Sequence, residues 1–223
     1  MIERFDMVIN EIRSSINNSA QTTNTIIFKR KFLYSFIKRA FDIIASLMAL
    51  TILAAPIIII AVLVKIDSPG EIIYKQERLT KNGKPFMLYK FRTMCQDAEK
   101  DGAKWADEND SRVTRVGHYL RAFRLDEILQ FVNSLKGDIS IVGPRPEREI
   151  FHNEFCKDIE NWDKRLLVKG GITGLAQVSG GYDLSASEKL VYDLEYIEKR
   201  SLWLDFVILC KTVLVVLNHN GAR

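Results

Sequence analysis

Ile43-Ile-Ala-Ser-Leu-Met-Ala-Leu-Thr-Ile-Leu-Ala-Ala-Pro56-Ile-Ile-Ile-Ile-Ala-Val-Leu-Val64 carries no charge between Asp42 and Lys65. At about 1.5 Å of rise per helical residue, such a run is long enough to cross a hydrocarbon core about 30 Å thick. Pro56, near its middle, lacks the N–H of a helical hydrogen bond and clashes with the preceding turn, so a bend is expected there. Cations flank both ends: Lys29, Arg30, Lys31, Lys38 and Arg39 before the run, Lys65 and Lys75 after it. With no asymmetry of charge to orient a span, a re-entrant helix that bends at Pro56 and leaves by the face it entered is expected. A straight span and a buried helix of a soluble protein are the lesser alternatives.

Around this run, 223 residues with 47% hydrophobic and 27% charged positions suit one well-packed domain. The net charge of +4 clusters near the apolar run, which favours an anionic membrane surface over nucleic acid, and no nucleic-acid motif is present. Cys95, Cys156 and Cys210 are too scattered for a disulfide framework or zinc site, and His118, His152 and His219 suggest neither Ser-His nor Cys-His machinery. The N-terminus has an amphipathic pattern (Phe5, Val8, Ile9, Ile12, Ile16), then a polar linker from Asn17 to Thr25, and no cleavable signal peptide. The expected organisation is an extension and linker over 1–35, a membrane-inserted helix over 36–66, and a cytoplasmic catalytic domain over 67–223.

That domain reads as α/β, mostly helical with a small mixed sheet. Strands are expected at Glu71 to Gln76 and Phe86 to Met94, joined by the turn Lys81-Asn82-Gly83-Lys84. Residues 118–136 read as one helix ended by Gly137 in a left-handed cap. Tyr192 to Ile197 and Leu202 to Leu217 also read as helical, the latter either a core helix or an amphipathic one in the membrane interface.

Four segments hold candidate chemistry. Strand alternation puts Lys90 and Arg92 on one face and Tyr89 and Phe91 on the other, which suits a phosphate or merely a solvated basic edge. Asp126 and Glu127 open the helical face Ile128, Leu129, Val132, Leu135, where carboxylates also serve as simple caps. Arg121 and Arg124 beside them would keep a carboxylate ionised and hold a phosphate, and an ionised aspartate can attack phosphorus. Asp138 to Pro146 is a short strand running into a turn in which two prolines fix Arg145. Lys169 to Gly181 is a glycine-rich loop able to approach a nucleotide, but it is no Walker or dinucleotide fingerprint.

In this order, the segments resemble the bacterial sugar transferase family, the small monotopic phosphoglycosyl transferases that start exopolysaccharide, capsule, O-antigen or glycoprotein glycan assembly. The likeness runs from about Lys38 to Leu217 and rests on Arg39-Ala40-Phe41-Asp42, Asp67-Ser68-Pro69-Gly70, Gln76-Glu77-Arg78 and Tyr89-Lys90-Phe91-Arg92-Thr93-Met94. It continues through Leu125-Asp126-Glu127, Val142-Gly143-Pro144-Arg145-Pro146, Gly171-Ile172-Thr173-Gly174 with Gln177, then Asp193, Tyr196 and Asp205. The resemblance implies transfer of a sugar-1-phosphate from a UDP-sugar to undecaprenyl phosphate at the cytoplasmic face of the bacterial inner membrane, releasing UMP. It assigns Asp126 as covalent nucleophile and Glu127, with Asp126, as Mg²⁺ ligands. Arg145 and Arg121 would bind phosphate, with Lys90, Arg92 and Gln177 as helpers and Asp193 and Asp205 as positioning candidates. Membrane lipid is an expected partner, and a homodimer and downstream glycosyltransferases are candidate ones; nucleic acid is not.

The sequence departs from the family pattern where Arg124, Leu129, Gly170 and Gly181 replace a common Ser, Pro, Pro and Arg. Gly181 removes a cation near the presumed nucleotide. These departures motivate the alternative of a catalytically inactive membrane scaffold in a polysaccharide assembly complex. An unrelated polytopic transferase is excluded, because one long apolar segment is too few.

Overall fold

The long apolar run is broken into two helices. The computed structural model describes residues 32–100, 102 and 110–217, so the expected N-terminal helix and linker lie outside the described residues. Helix α1 spans Phe32–Ile52 and α2 spans Ala54–Asp67, with a bend of 62° between them. The Pro56 ring would collide with the carbonyl four residues earlier, that of Ile52, and α1 ends there. No single described helix is long and apolar enough to cross a membrane, but this bent pair is by length and composition.

Both helices expose much of their apolar surface, and α1 is inverted, whereas α2 buries the apolar Ile60 and Val64. In α1 the buried residues are Asp42 and Ser46, while Phe32, Leu33, Phe36, Leu47, Met48 and Ile52 are exposed. Polar side chains therefore attach α1 to the rest of the protein. Asp42 accepts hydrogen bonds from the Ser140 hydroxyl and the Ile141 N–H, both at 3.0 Å. Arg39 donates to the carbonyls of Ser134 and Leu135 at 2.7 and 2.8 Å, and Lys38 pairs with Asp205 at 2.9 Å. These two cations, expected to flank a lipid-facing run, are in fact turned into the protein.

Beyond α2, strands β1 (Ile73–Leu79) and β2 (Pro85–Phe91) form the expected antiparallel hairpin, shifted by a few residues and turned at Lys81–Gly83. Phe91 enters a core cluster with Ile60 and Val64 of α2, Leu120, Ile128 and Leu129, and Tyr89 packs against it, as the alternation predicted. The second sheet is separate and parallel, pairing β3 (Ser140–Val142) with β4 (Gly171–Thr173). The fold is thus mostly helical, with two small sheets in place of one mixed sheet.

The single helix expected over 118–136 is two. Helix α3 (Arg115–Ala122) stops before Arg124, which has φ +55°, and α4 (Gln130–Lys136) follows a tight turn at Leu125–Glu127. The buried face of α4 also differs from the apolar pattern: Val132 and Leu135 are half-buried, and Gln130, Asn133 and Ser134 are buried instead. Asn133 explains this exchange. Its Oδ1 accepts the Tyr89 N–H at 3.0 Å and its amide donates to the Met87 carbonyl at 2.7 Å, so α4 is stitched to the backbone of β2. Gly137 closes α4 as predicted, with φ +90°; its N–H reaches the Ser134 carbonyl and the Asp138 N–H reaches that of Asn133, each at 3.0 Å.

The chain then runs through α5 (Glu149–Asp158), a tight turn at Trp162–Leu167, α6 (Leu175–Ser179), α7 (Ala186–Lys199) and α8 (Leu202–Leu217). The glycine-rich loop is built for close packing of backbone. A Cβ on Gly171 would lie 2.1 Å from the Gly143 nitrogen, and one on Gly174 2.2 Å from the Gly143 oxygen. In α8, Asp205 and Ile208 face inward while Trp203, Phe206, Val213 and Leu214 are exposed, so the helix is neither wholly core nor wholly free.

Because Asp42 is buried and satisfies two donors, Asp42→Ala leaves both unpaired and should cost about 1–3 kcal/mol. A clear fall in the thermal unfolding midpoint in detergent micelles is expected, and an unchanged midpoint would rule out this anchor.

Candidate active site

Lys90, Arg121, Asp126, Glu127 and Arg145 line one cleft of about 600 Å³, together with Gln177, Asp193 and Arg92. Its cations outnumber its carboxylates, since Arg78, Arg124, Arg148, Arg165 and Lys189 also line it. Such a surplus suits a ligand with several negative charges.

Each side chain is aimed by a different element. Asp126 sits in the turn between α3 and α4 and is 7% exposed. Glu127, its neighbour, accepts both arms of the Arg145 fork, one nitrogen on each carboxylate oxygen, the longer bond 3.2 Å. Arg145 is held in turn by Pro144 and Pro146 on either side and by the Arg165 guanidinium, which donates to its carbonyl at 2.9 Å. Arg165 pairs with Asp193 at 2.7 Å and lies over the Trp162 ring at 4.2 Å. Arg121 reaches across from α3 to the Thr93 hydroxyl at 2.9 Å. Lys90 projects from β2 over the Tyr74 ring at 5.2 Å.

Electrostatics divides the two adjacent carboxylates. Burial pushes the Asp126 carboxyl above its ordinary value, the charge of Glu127 pushes it further, and Lys90, Arg121 and Arg145 only partly oppose this. Burial acts on Glu127 in the same sense, but the charge and paired hydrogen bonds of Arg145 outweigh it and hold Glu127 below the usual carboxylate range. Lys90 is pushed below the usual lysine range by burial, against the pull of Asp126 and Glu127. The two neighbours are thereby pushed apart, Glu127 toward the anion and Asp126 toward easier protonation.

Two candidates serve elsewhere. Arg92 touches the cleft, but its buried guanidinium donates to the carbonyls of Ser68, at 2.6 Å, and of Pro69, fixing the exit of α2. Its departure from the expected pairing with Lys90 follows from β2 ending at Phe91, before the alternation reaches it. Asp205 is not among the residues lining the cleft; it accepts hydrogen bonds from Tyr34, Lys38 and Tyr196, each at 2.9 Å, and ties α1 to α7 and α8. Gln177 lies at the cleft edge, donating to the Ile172 carbonyl at 2.8 Å, and Gly181 lines it with open space where a side chain would be.

The sequence pattern missed Arg78, Arg148, Arg165 and Lys189. Arg78 alternates with Gln76 on β1 and donates to its side-chain oxygen at 2.9 Å, a relation that strand periodicity could have found. Nothing in the local sequence marks Arg165.

No group of three or more His, Cys, Asp or Glu suited to a metal occurs among the described residues. Adjacent carboxylates such as Asp126 and Glu127 are the donor type that Mg²⁺ takes, with phosphate oxygens and water completing its shell, and here both Glu127 oxygens are also paired with Arg145.

The description "Bacterial sugar transferase" belongs to the family model that matches residues 33–219. The chain is 44% identical over 194 residues to the UDP-N-acetylgalactosamine-undecaprenyl-phosphate N-acetylgalactosaminephosphotransferase of Aeromonas hydrophila, covering 86% of this chain and 46% of that protein. It is 48% identical over 133 residues to a putative undecaprenyl-phosphate N-acetylgalactosaminyl 1-phosphate transferase of Bacillus subtilis (strain 168), covering 60% and 74%. With the UDP-glucose:undecaprenyl-phosphate glucose-1-phosphate transferase of Escherichia coli (strain K12) it shares 41% over 182 residues, covering 79% and 39%. The chain thus spans less than half the length of the Aeromonas and Escherichia proteins.

The split between the two carboxyls gives an expected order of titration. In metal-free protein followed by carboxyl ¹³C shifts, Asp126 should protonate at a higher pH than an ordinary aspartate and Glu127 at a lower pH than an ordinary glutamate. Coincident titration at ordinary values would contradict the geometry.

Proposed function

The chain belongs to the bacterial sugar transferase family, and from that premise we propose that its cleft moves a sugar-1-phosphate from a UDP-sugar onto undecaprenyl phosphate, releasing UMP. The observation that carries this proposal is a buried Asp126 beside a Glu127 fixed by Arg145, in a cleft with a surplus of cations.

An Asp126 oxygen attacks the phosphorus that bears the sugar. The bond from that phosphorus to the oxygen bridging the two phosphates breaks, and UMP leaves with the bonding electrons. An oxygen of undecaprenyl phosphate then attacks the same phosphorus, breaks its bond to Asp126, and regenerates the carboxylate while forming the lipid diphosphosugar. Arg121, Arg145 and Lys90 hold phosphate oxygens and offset the charge that gathers on them. Asp126 and Glu127 would hold Mg²⁺, which supplies charge neutralisation to the diphosphate when bound. Because Glu127 is kept anionic by Arg145, Asp126 is the carboxylate left for covalent chemistry.

The donor is a UDP-hexose or UDP-N-acetylhexosamine, as the names of the Aeromonas and Escherichia relatives carry N-acetylgalactosamine and glucose. The acceptor is a lipid, and the outward apolar surfaces of α1, α2 and α8 are suited to a bilayer. The bent α1–α2 pair enters and leaves by one leaflet, and the cleft works at the cytoplasmic face of the bacterial inner membrane, at the start of surface-glycan assembly.

Purified protein given undecaprenyl phosphate, Mg²⁺ and UDP-N-acetylgalactosamine, UDP-glucose or UDP-galactose should release UMP with at least one donor. Asp126→Asn should cut that release by about 10³-fold or more. Silence with every donor, alongside co-purification with later glycosyltransferases, would instead support the scaffold.

Topology has its own check. In protein whose native cysteines are replaced by serine, cysteines at positions 30 and 75 should both label from the cytoplasmic side; labelling from opposite sides would require a straight span.

A further inference from the structure

Three described residues other than glycine adopt the left-handed region: Asn82 at φ +60°, Arg124 at +55° and Asn161 at +65°. Asparagine tolerates that region because its short amide can bond locally, but arginine has no such compensation. Arg124 follows the last turn of α3 as Gly137, at φ +90°, follows the last turn of α4. One helix ends with the residue this conformation favours, and the other ends with an arginine two positions before Asp126.

The surrounding backbone keeps it there. The Arg124 N–H donates to the Arg121 carbonyl at 3.0 Å, and the Arg124 carbonyl accepts the Glu127 N–H at 3.3 Å, so one residue both closes α3 and opens the turn that carries Asp126. Leu120 before the turn and Ile128 and Leu129 after it are buried in the same cluster, which clamps the turn from both sides. Had α3 continued through Arg124 as a right-handed helix, Asp126 would share the face of Tyr119 and Phe123, seven and three residues back respectively. Those two side chains are 66% and 48% exposed, whereas Asp126 is 7% exposed.

We propose that Arg124 is a positioning residue whose left-handed backbone aims Asp126 into the cleft, an inference that rests on Asp126 being the nucleophile. Its guanidinium also lines the cleft and favours the anionic form of Glu127, so conformation and charge must be separated.

Arg124→Asn and Arg124→Val remove the same charge, but asparagine accepts the left-handed region and a β-branched side chain resists it. Arg124→Gly removes the charge and the strain together. In full-length protein assayed for UMP release with the donor that supports turnover, Asn and Gly should raise donor KM while kcat falls by no more than about threefold. Val should lower kcat by about 100-fold, the scale of a small misplacement of a reacting group. Equal kcat losses in Asn and Val would overturn the proposal in favour of charge, and full kcat in Val would overturn it outright. Should Val not fold, Asn and Gly decide alone, since a hundredfold kcat loss in them contradicts the proposal. Carbodiimide labelling of Asp126 needs no turnover and separates this inference from the reaction assignment: Asp126 should stay protected in Asn and Gly and become reactive in Val. Failure of wild-type turnover with that labelling pattern intact would refute the reaction and leave the positioning role standing, while equal protection in all variants would refute the role.

Discussion

Two adjacent carboxylates held out of water repel each other, and both can persist as anions only where cations are fixed against them. Arg145 meets that constraint on Glu127 by pairing both of its arms with both carboxylate oxygens. Much of the surrounding structure serves this contact: the prolines beside Arg145, the Arg165 guanidinium beneath its carbonyl, and Asp193 holding Arg165. Close backbone packing of Gly143 against Gly171 and Gly174 sets the strand from which that turn departs. With Glu127 committed, Asp126 faces the cleft beside Arg121 and Lys90 with its carboxyl raised by burial.

Helices α1 and α8 are bound to this centre by polar contacts. Asp42 grips β3, Arg39 the end of α4, and Lys38 with Tyr34 the buried Asp205 of α8. At the far end of the bent pair, Arg92 holds the carbonyls of Ser68 and Pro69, two positions along the chain from Lys90 of β2. The exposed apolar helix pair and the strand that carries Lys90 thus share their fixed points, which suits the lipid acceptor proposed for the cleft.

Some of this was legible in the sequence because it depends on local chemistry. Pro56 forecast the bend, Gly137 the left-handed cap, and strand alternation the shared face of Tyr89 and Phe91 on β2. The break at Arg124 was not legible, since arginine is a good helix former and nothing in its side chain marks a left-handed backbone. Nor was the buried polar face of α4, because Asn133 satisfies backbone groups of a strand distant in sequence and periodicity sees only apolar residues. The grouping of Asp126 with Arg145 followed from ordered motifs, while Arg165 needed the fold to bring it under Arg145.

The proposed reaction turns on Asp126 taking the phosphosugar covalently. The most direct measurement is mass spectrometry of the protein quenched after exposure to a turnover-supporting UDP-sugar and Mg²⁺, with undecaprenyl phosphate withheld. An adduct of one phosphosugar is expected, mapped to the peptide bearing Asp126 and discharged when undecaprenyl phosphate is added. Rapid turnover with no adduct, or an adduct on another residue that persists in Asp126→Asn, would contradict it.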